Sequence, residues 1–290
     1  MRYEAPESLD AAAALLADAG NGARILAGGT DLLVQLRLDM IAPDVVVDVK
    51  RIPELRTIAV ENDGFRIGAA VTGAEMGEHA ALKAAWPGVV EAVELIGSTQ
   101  IQGRATMGGN LCNASPAADS VPALIAARAT VAVFGPDGRR EVPVEDIAIG
   151  PGRTSLAPGE FVASIFLPPR PPHSGDAYLR FIPRTEMDIA VVGVGLSLTL
   201  DDDGTCRAAR VALGAVAARA LDVPEAAAAL VGTALDEAAL DGLAAAASAA
   251  CRPIDDKRGT KEYRIKVAGV LARRAASIAL QRARARKGSS

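Results

Sequence analysis

The run Pro168-Pro169-Arg170-Pro171-Pro172 constrains this chain more than any other feature. Proline has a fixed φ and no main-chain N–H, so neither a helix interior nor a central strand can pass through it. We therefore place a domain boundary there. At 290 residues the sequence exceeds the usual size of a single core, which fits two or three packed units.

Before the boundary the sequence reads as alternating helices and short strands. A helix is expected over Asp10–Ala19, capped by Ser8 and stopped by Gly20 and Gly22. Arg24–Ala27 reads as a buried strand, Gly28-Gly29-Thr30-Asp31 as a turn, and Leu32–Leu38 as a helix. Strands are expected at Val45–Val49 and Arg66–Ala70, and helices at Ala74–Ala85, Val89–Ile96 and Ala118–Ala127. Gly97–Asn110, rich in Gly, Ser, Thr and Gln, reads as a loop. Ala129–Phe134 and Arg139–Pro143 make a hairpin, followed by a strand at Phe161–Leu167. After the boundary come three strands, Ala177–Phe181, Ile189–Leu200 and Arg207–Val216, then helices at Pro224–Ala250 and Tyr263–Arg286. Strands followed by helices make the pattern α+β.

Charge and cysteine usage exclude several functions. A net charge of −4 gives no sign of nucleic-acid binding, and the basic run Arg282–Lys287 reads as a solvated helix end. Glu4, Glu7 and Asp10 interrupt any secretory signal, and no apolar run is long enough to span a membrane. Cys112, Cys206 and Cys251 are few, odd in number and far apart, which suits a reducing cytoplasm. Three thiolates cannot hold an iron–sulfur cluster alone, and His79 and His173 make no zinc spacing with them. Any metal chemistry must sit on another chain.

Chemistry concentrates at two glycine segments, Ala27-Gly28-Gly29-Thr30-Asp31-Leu32 and Thr106-Met107-Gly108-Gly109-Asn110. Glycine permits positive φ and close approach of a ligand to the backbone, and successive N–H groups in such a turn attract anions. The first segment also opens a helix, whose N-terminus favours phosphate. Together the two could hold a diphosphate from both sides; each could also be a structural turn. Neither is the dinucleotide fingerprint Gly-x-Gly-x-x-Gly, and Gly193-Val194-Gly195 reads as a packing feature within a strand.

Ser98–Ser120 contains Arg104-Ala105-Thr106-Met107-Gly108-Gly109-Asn110 followed by Ala114-Ser115-Pro116-Ala117-Ala118-Asp119. This resembles the FAD-binding subunit of the xanthine dehydrogenase and carbon monoxide dehydrogenase family. Leu26–Leu33 is similar to that family's first flavin loop. Phe181-x-x-Arg184-x-x-x-Asp188-Ile189-Ala190 and Asp255-Asp256-x-Arg258-Gly259-x-x-Glu262-Tyr263-Arg264 resemble two further blocks. The four blocks are in order and span the chain.

The resemblance implies a vanillyl-alcohol-oxidase (PCMH)-type FAD-binding domain of two α/β subdomains, 1–56 and 57–172. A C-terminal domain, 173–290, would hold a three-stranded antiparallel sheet with helices. The implied cofactor-binding residues are Leu26, Ala27, Gly28, Gly29, Thr30, Asp31, Leu32 and Leu33 in the first loop, with Thr106, Met107, Gly108, Gly109 and Asn110 in the second. Ser115 belongs to the same set. Asp119 would accept from the adenosine ribose, although it could instead cap the helix that follows. Val162 would make a main-chain contact near the flavin ring. Arg180 falls where some relatives carry lysine beside the flavin, and Ile96 where an aromatic can pack on the ring. Asp188 could be a turn residue. Asp255–Arg264 reads as a helix cap with i,i+4 pairing or as a subunit contact.

The implied function is electron transfer within a molybdenum hydroxylase. FAD on this chain would receive electrons from two [2Fe-2S] clusters on a small subunit, downstream of a molybdopterin cofactor on a large subunit. The implied assembly is a dimer of heterotrimers, and no catalytic acid–base group is expected on this chain. Thr30 stands where carbon monoxide dehydrogenases tend to carry His, and Asn110 where they tend to carry Asp. That departure favours a purine, N-heterocycle or aldehyde substrate. The alternatives are a stand-alone flavin oxidoreductase of the same fold and a non-catalytic module.

Overall fold

The computed structural model describes residues 1–285. Arg286 and Lys287, the end of the expected C-terminal helix and basic run, lie outside them. Among the described residues three larger sheets follow one another along the chain, with a two-stranded ribbon, Ala148–Gly150 and Arg153–Thr154, beside them. The first is wholly parallel, Arg2–Glu4 and Ala23–Leu26 flanking Val45–Asp48. Val45 and Val47 are fully buried in it, under Ala12, Ala13 and Leu16 of the helix Leu9–Ala19. Ser8 caps that helix by accepting from the Ala11 N–H, as its sequence predicts.

The second sheet has five antiparallel strands in the order Ile58–Glu61, Gly64–Gly68, Phe161–Leu167, Thr130–Gly135, Gly138–Pro143. Its register shifts between Val162 and Ser164, a bulge that bends the central strand. Phe161 and Ala163 of this strand enter the first sheet's core while Val162 and Ile165 enter the second, so alternation along one strand joins the two cores.

The third sheet is antiparallel, Ser174–Phe181, Val192–Leu200 and Cys206–Gly214, with a short fourth strand, Leu221–Asp222, that the sequence did not signal. The 25-residue helix Lys261–Ala285 packs on it. The approach is close: a Cβ on Gly175 would stand 1.8 Å from the Ala279 carbonyl oxygen. The helix Ser120–Ala126, buried at every residue, joins the second and third sheets. Gly195 gives way to it, since a Cβ there would lie 2.3 Å from the Pro122 carbonyl oxygen. Gly193-Val194-Gly195 is thus a packing feature, as expected.

Three expected elements differ. Gly97–Asn110 is not all loop but holds helices Thr99–Gln102 and, from its end, Met107–Cys112, because Thr106 caps the second through the Gly109 N–H. Ala74–Ala85 breaks at His79, whose backbone turns extended and whose Nδ1 accepts from the Leu82 N–H. Pro224–Ala250 breaks into Pro224–Ala228 and Glu237–Ala250, with Gly232 and Leu235 at positive φ between them and Asp236 capping the second.

Candidate functional site

A cleft of about 1040 Å³, open at one side, lies where the first and second sheets meet. The segment Ala27–Leu32 lines one wall, and Thr106, Gly108, Gly109 and Asn110 line the other, with Ile96 and Val162 also contributing. The two turns touch: a Cβ on Gly28 would stand 2.1 Å from the Arg104 carbonyl oxygen. Only glycine permits that approach. Gly29 needs its lack of side chain for another reason, a φ of +80°. Gly108 lies over Ala69, and a Cβ there would sit 2.7 Å from the Ala69 carbonyl oxygen.

Thr106 is 3 % exposed, and its hydroxyl accepts from the Gly109 N–H at 3.0 Å. Met107 and Gly108 occupy the first turn of the helix that follows, where main-chain N–H groups have no intrahelical acceptor. Asn110 faces away in part: its Oδ1 accepts from both the N–H and the hydroxyl of Ser120, capping Ser120–Ala126. Burial raises the pKa of the Asp31 carboxyl at the mouth of the first turn.

Several expected site residues lie outside this lining. Leu26 and Met107 are buried beneath the turns, and Leu33 is half exposed. The Ser115 hydroxyl accepts from the Ala117 N–H. Asp119 and Arg180 meet each other: Asp119 Oδ2 accepts from Arg180 at 2.8 Å and Oδ1 from the Tyr178 hydroxyl at 2.9 Å. Asp119 makes no side-chain cap either, and the Arg180 side chain is 6% exposed. Desolvation pushes the Asp119 carboxyl up to about 6 against the opposing pull of Arg180, and burial beside Asp119 raises Tyr178.

Arg24, Gln35, Ala69, Asn113 and Phe161 line the cleft without having been singled out from sequence. Phe161 directly precedes Val162 in the strand, ahead of the bulge between Val162 and Ser164, and a bulge leaves no residue signature. Ala69 could have been found only from its position after a strand.

The residues fit an FAD diphosphate. Two side-chain-free turns converge, and Thr30 and Thr106 add hydroxyls. Arg24, the one cationic side chain among the lining residues, is held by the Asn21 and Ala23 carbonyls. Charge would therefore be met mainly by main-chain dipoles.

The third and fourth blocks pack on each other. Asp188 accepts from Arg258 at 3.1 Å and from Arg184 at 3.2 Å. Asp256 pairs with Arg264, which is 3 % exposed and also donates to the Val191 and Ala215 carbonyls. Asp255 accepts from the Lys261 N–H, as a cap would. Among the described residues no His, Cys, Asp and Glu cluster could hold a metal, and no helix is long and apolar enough to cross a membrane.

Comparison with known proteins gives concordant matches. Residues 1–170 match a family model described as the FAD binding domain in molybdopterin dehydrogenase, and residues 177–279 one described as the CO dehydrogenase flavoprotein C-terminal domain. The carbon monoxide dehydrogenase medium chain of Afipia carboxidovorans is 36% identical over 282 residues, covering 97% of each chain. The 6-hydroxypseudooxynicotine dehydrogenase complex subunit alpha of Paenarthrobacter nicotinovorans is 31% identical over 287 residues, covering 99% of this chain and 97% of that one. A crystal structure of the Cu,Mo-CO dehydrogenase superposes with a TM-score of 0.93 at 36% identity, covering 97% of this chain and 98% of that one. On these matches the chain belongs to the FAD-binding medium subunits of the molybdenum hydroxylases, the oxidoreductase family of the carbon monoxide and xanthine dehydrogenases.

Proposed function

We propose that this chain holds FAD extended across the cleft and relays electrons from two [2Fe-2S] clusters of a small partner subunit to an external acceptor. A large molybdopterin-binding subunit would oxidise the substrate, and the assembly would be a cytoplasmic dimer of heterotrimers. The fold would be of the vanillyl-alcohol-oxidase type, with subdomains 1–56 and 57–172 clamping the cofactor and 173–290 completing the chain. The observation that carries this reading is the contact of Gly28 with the Arg104 carbonyl, which brings both glycine turns to one cleft.

Within it, main-chain N–H groups of Ala27–Leu32 and of Met107 and Gly108 would bind the diphosphate. Val162, at the start of the bulge, would make the main-chain contact near the ring. When bound, FAD accepts electrons singly and releases them singly or as hydride. This chain's residues bind, orient and shield it. The substrate remains a matter for the large subunit. Relatives at 31% and 36% identity carry the names of dehydrogenases for 6-hydroxypseudooxynicotine and carbon monoxide, so overall likeness of this chain does not track substrate.

The test is co-purification of the natively expressed chain. Flavin absorbance near ~450 nm and two further chains, one with molybdopterin and one with iron–sulfur clusters, are expected. A flavin-bearing chain that turns over a small molecule unaided would instead support a stand-alone oxidoreductase.

A further inference from the structure

A second cleft, of about 590 Å³, lies behind the second glycine turn and shares with the first only Thr106. Lys50, Arg56 and Arg104 line it, against a single carboxylate, Glu75. The three cations come from separate segments: the turn after Val45–Asp48, the turn before Ile58–Glu61, and the approach to the glycine turn.

Two of them are held in place. Lys50 Nζ donates to Asp48 Oδ1 at 2.7 Å, and Arg56 Nη2 donates to Glu75 Oε1 at 2.6 Å. Glu75 is itself fixed by the Thr72 N–H and hydroxyl in a capping box. An ammonium carries three donors and a guanidinium five, so these pairings orient both head groups without exhausting them. Arg104 has no side-chain partner among the described residues. With Asp48 and Glu75 counted against Lys50, Arg56 and Arg104, the surplus of one positive charge falls on Arg104. The bridge between Thr72 and Thr106 fastens the wall that carries both threonines.

Three cationic residues on one cleft suit the larger charge and extra oxygens of a phosphate group better than the single charge and two oxygens of a carboxylate. Gly103, Arg104 and Thr106, from the approach to the second glycine turn, line one side of this cleft. We propose that this basic cleft is a second anion site, which takes the phosphate group of a small phosphorylated molecule.

The site is tested by calorimetric titration of inorganic pyrophosphate into the FAD-loaded chain at low ionic strength, with AMP and acetate as further arms. FAD loading closes the first cleft to the probe. Saturable binding of one pyrophosphate per chain is expected, with acetate weaker. Arg104→Gln and Lys50→Gln should each weaken it about tenfold, while the flavin-to-protein ratio of Lys50→Gln stays at the wild-type value. AMP binding as tightly as pyrophosphate identifies a nucleotide ligand, and AMP failing to compete identifies free phosphate; both fit the proposal. Absence of saturable binding to the FAD-loaded chain overturns it, as does equal affinity in both variants or equal affinity for acetate. A chain that does not retain FAD would count against the proposed function instead. In that case pyrophosphate binding that Arg104→Gln does not weaken would place the probe in the first cleft and still overturn the second site.

Discussion

An added methyl group at Gly28 would stand 2.1 Å from a backbone oxygen, whereas at Gly109 it would meet only the Thr106 hydroxyl at 2.9 Å. The two glycines therefore answer to different constraints. Gly28 lets the turns meet, and Gly109 leaves space in the cleft. Gly28→Ala should destabilise the fold by about 3 kcal/mol, since a backbone cannot yield as a side-chain end does, and should lower the flavin-to-protein ratio. Gly109→Ala should cost about 1 kcal/mol or less. Equal denaturation midpoints for the two variants would refute the distinction. Asp119 gives a pH-dependent prediction. Its folded pKa is raised to about 6, so its contribution is complete below the unfolded value near ~4 and is lost as pH rises through about 6. Asp119→Asn removes that loss, and at pH 4, where the folded carboxyl is itself protonated, it leaves Arg180 no more without an anion than the wild type does. Wild type should therefore lose about 2–3 kcal/mol of stability relative to the variant from pH 4 to pH 7, starting from a small gap. A wild type that instead gains on the variant over that interval would show Asp119 to be ionised throughout.

Among the elements, the short helix Met107–Cys112 sets the second turn, and its start depends on one hydroxyl. Thr106→Ala should cost about 1 kcal/mol through loss of the cap and should weaken flavin retention, whereas Thr106→Ser should restore both. Failure of serine to rescue would assign the role to the threonine methyl group. This helix also marks how far sequence alone reaches. Strand, glycine turn and helix over residues 23–37 were legible because periodicity and glycine act locally. The helices at Thr99–Gln102 and Met107–Cys112 were not, because Gly, Thr and Asn have weak propensity and the cap and surrounding core decide the outcome. Likewise the glycine pairs could be named from sequence, but not which glycine faces a neighbour and which a ligand. The pairing of Asp119 with Tyr178 and Arg180 spans some sixty residues, a separation at which no local signal exists. The proline run, by contrast, marked the passage from the second sheet to the third because its cause is covalent.

Over the whole molecule the join between the second and third sheets rests on a buried polar knot. Asp176 and Arg170 pair at 2.7 Å with side chains 5% exposed, and Asp176 Oδ2 accepts from the Gly88 N–H at 2.8 Å. Arg170 stacks 4.9 Å over Trp86, whose indole N–H donates to the Pro168 carbonyl. From the long C-terminal helix, Arg282 reaches the Asp176 carbonyl and Glu91. One knot thus gathers the proline boundary, the helix Pro87–Glu94, the first strand of the third sheet and the C-terminal helix. Removing one member of a buried pair strands the other's charge, a loss of about 3–5 kcal/mol, whereas an exposed pair contributes about 0–1 kcal/mol. Asp176→Ala should accordingly lower the denaturation midpoint strongly. Asp241→Ala, which breaks an ion pair with Arg273 at a carboxylate 71% exposed, should leave it within about 0.5 kcal/mol of wild type. Trp86 is the only tryptophan and lies within the knot, so its emission reports directly on this join. If Asp176→Ala shifts the Trp86 transition no further than Asp241→Ala does, the sheets are held together by apolar packing around Ser120–Ala126 and not by this knot.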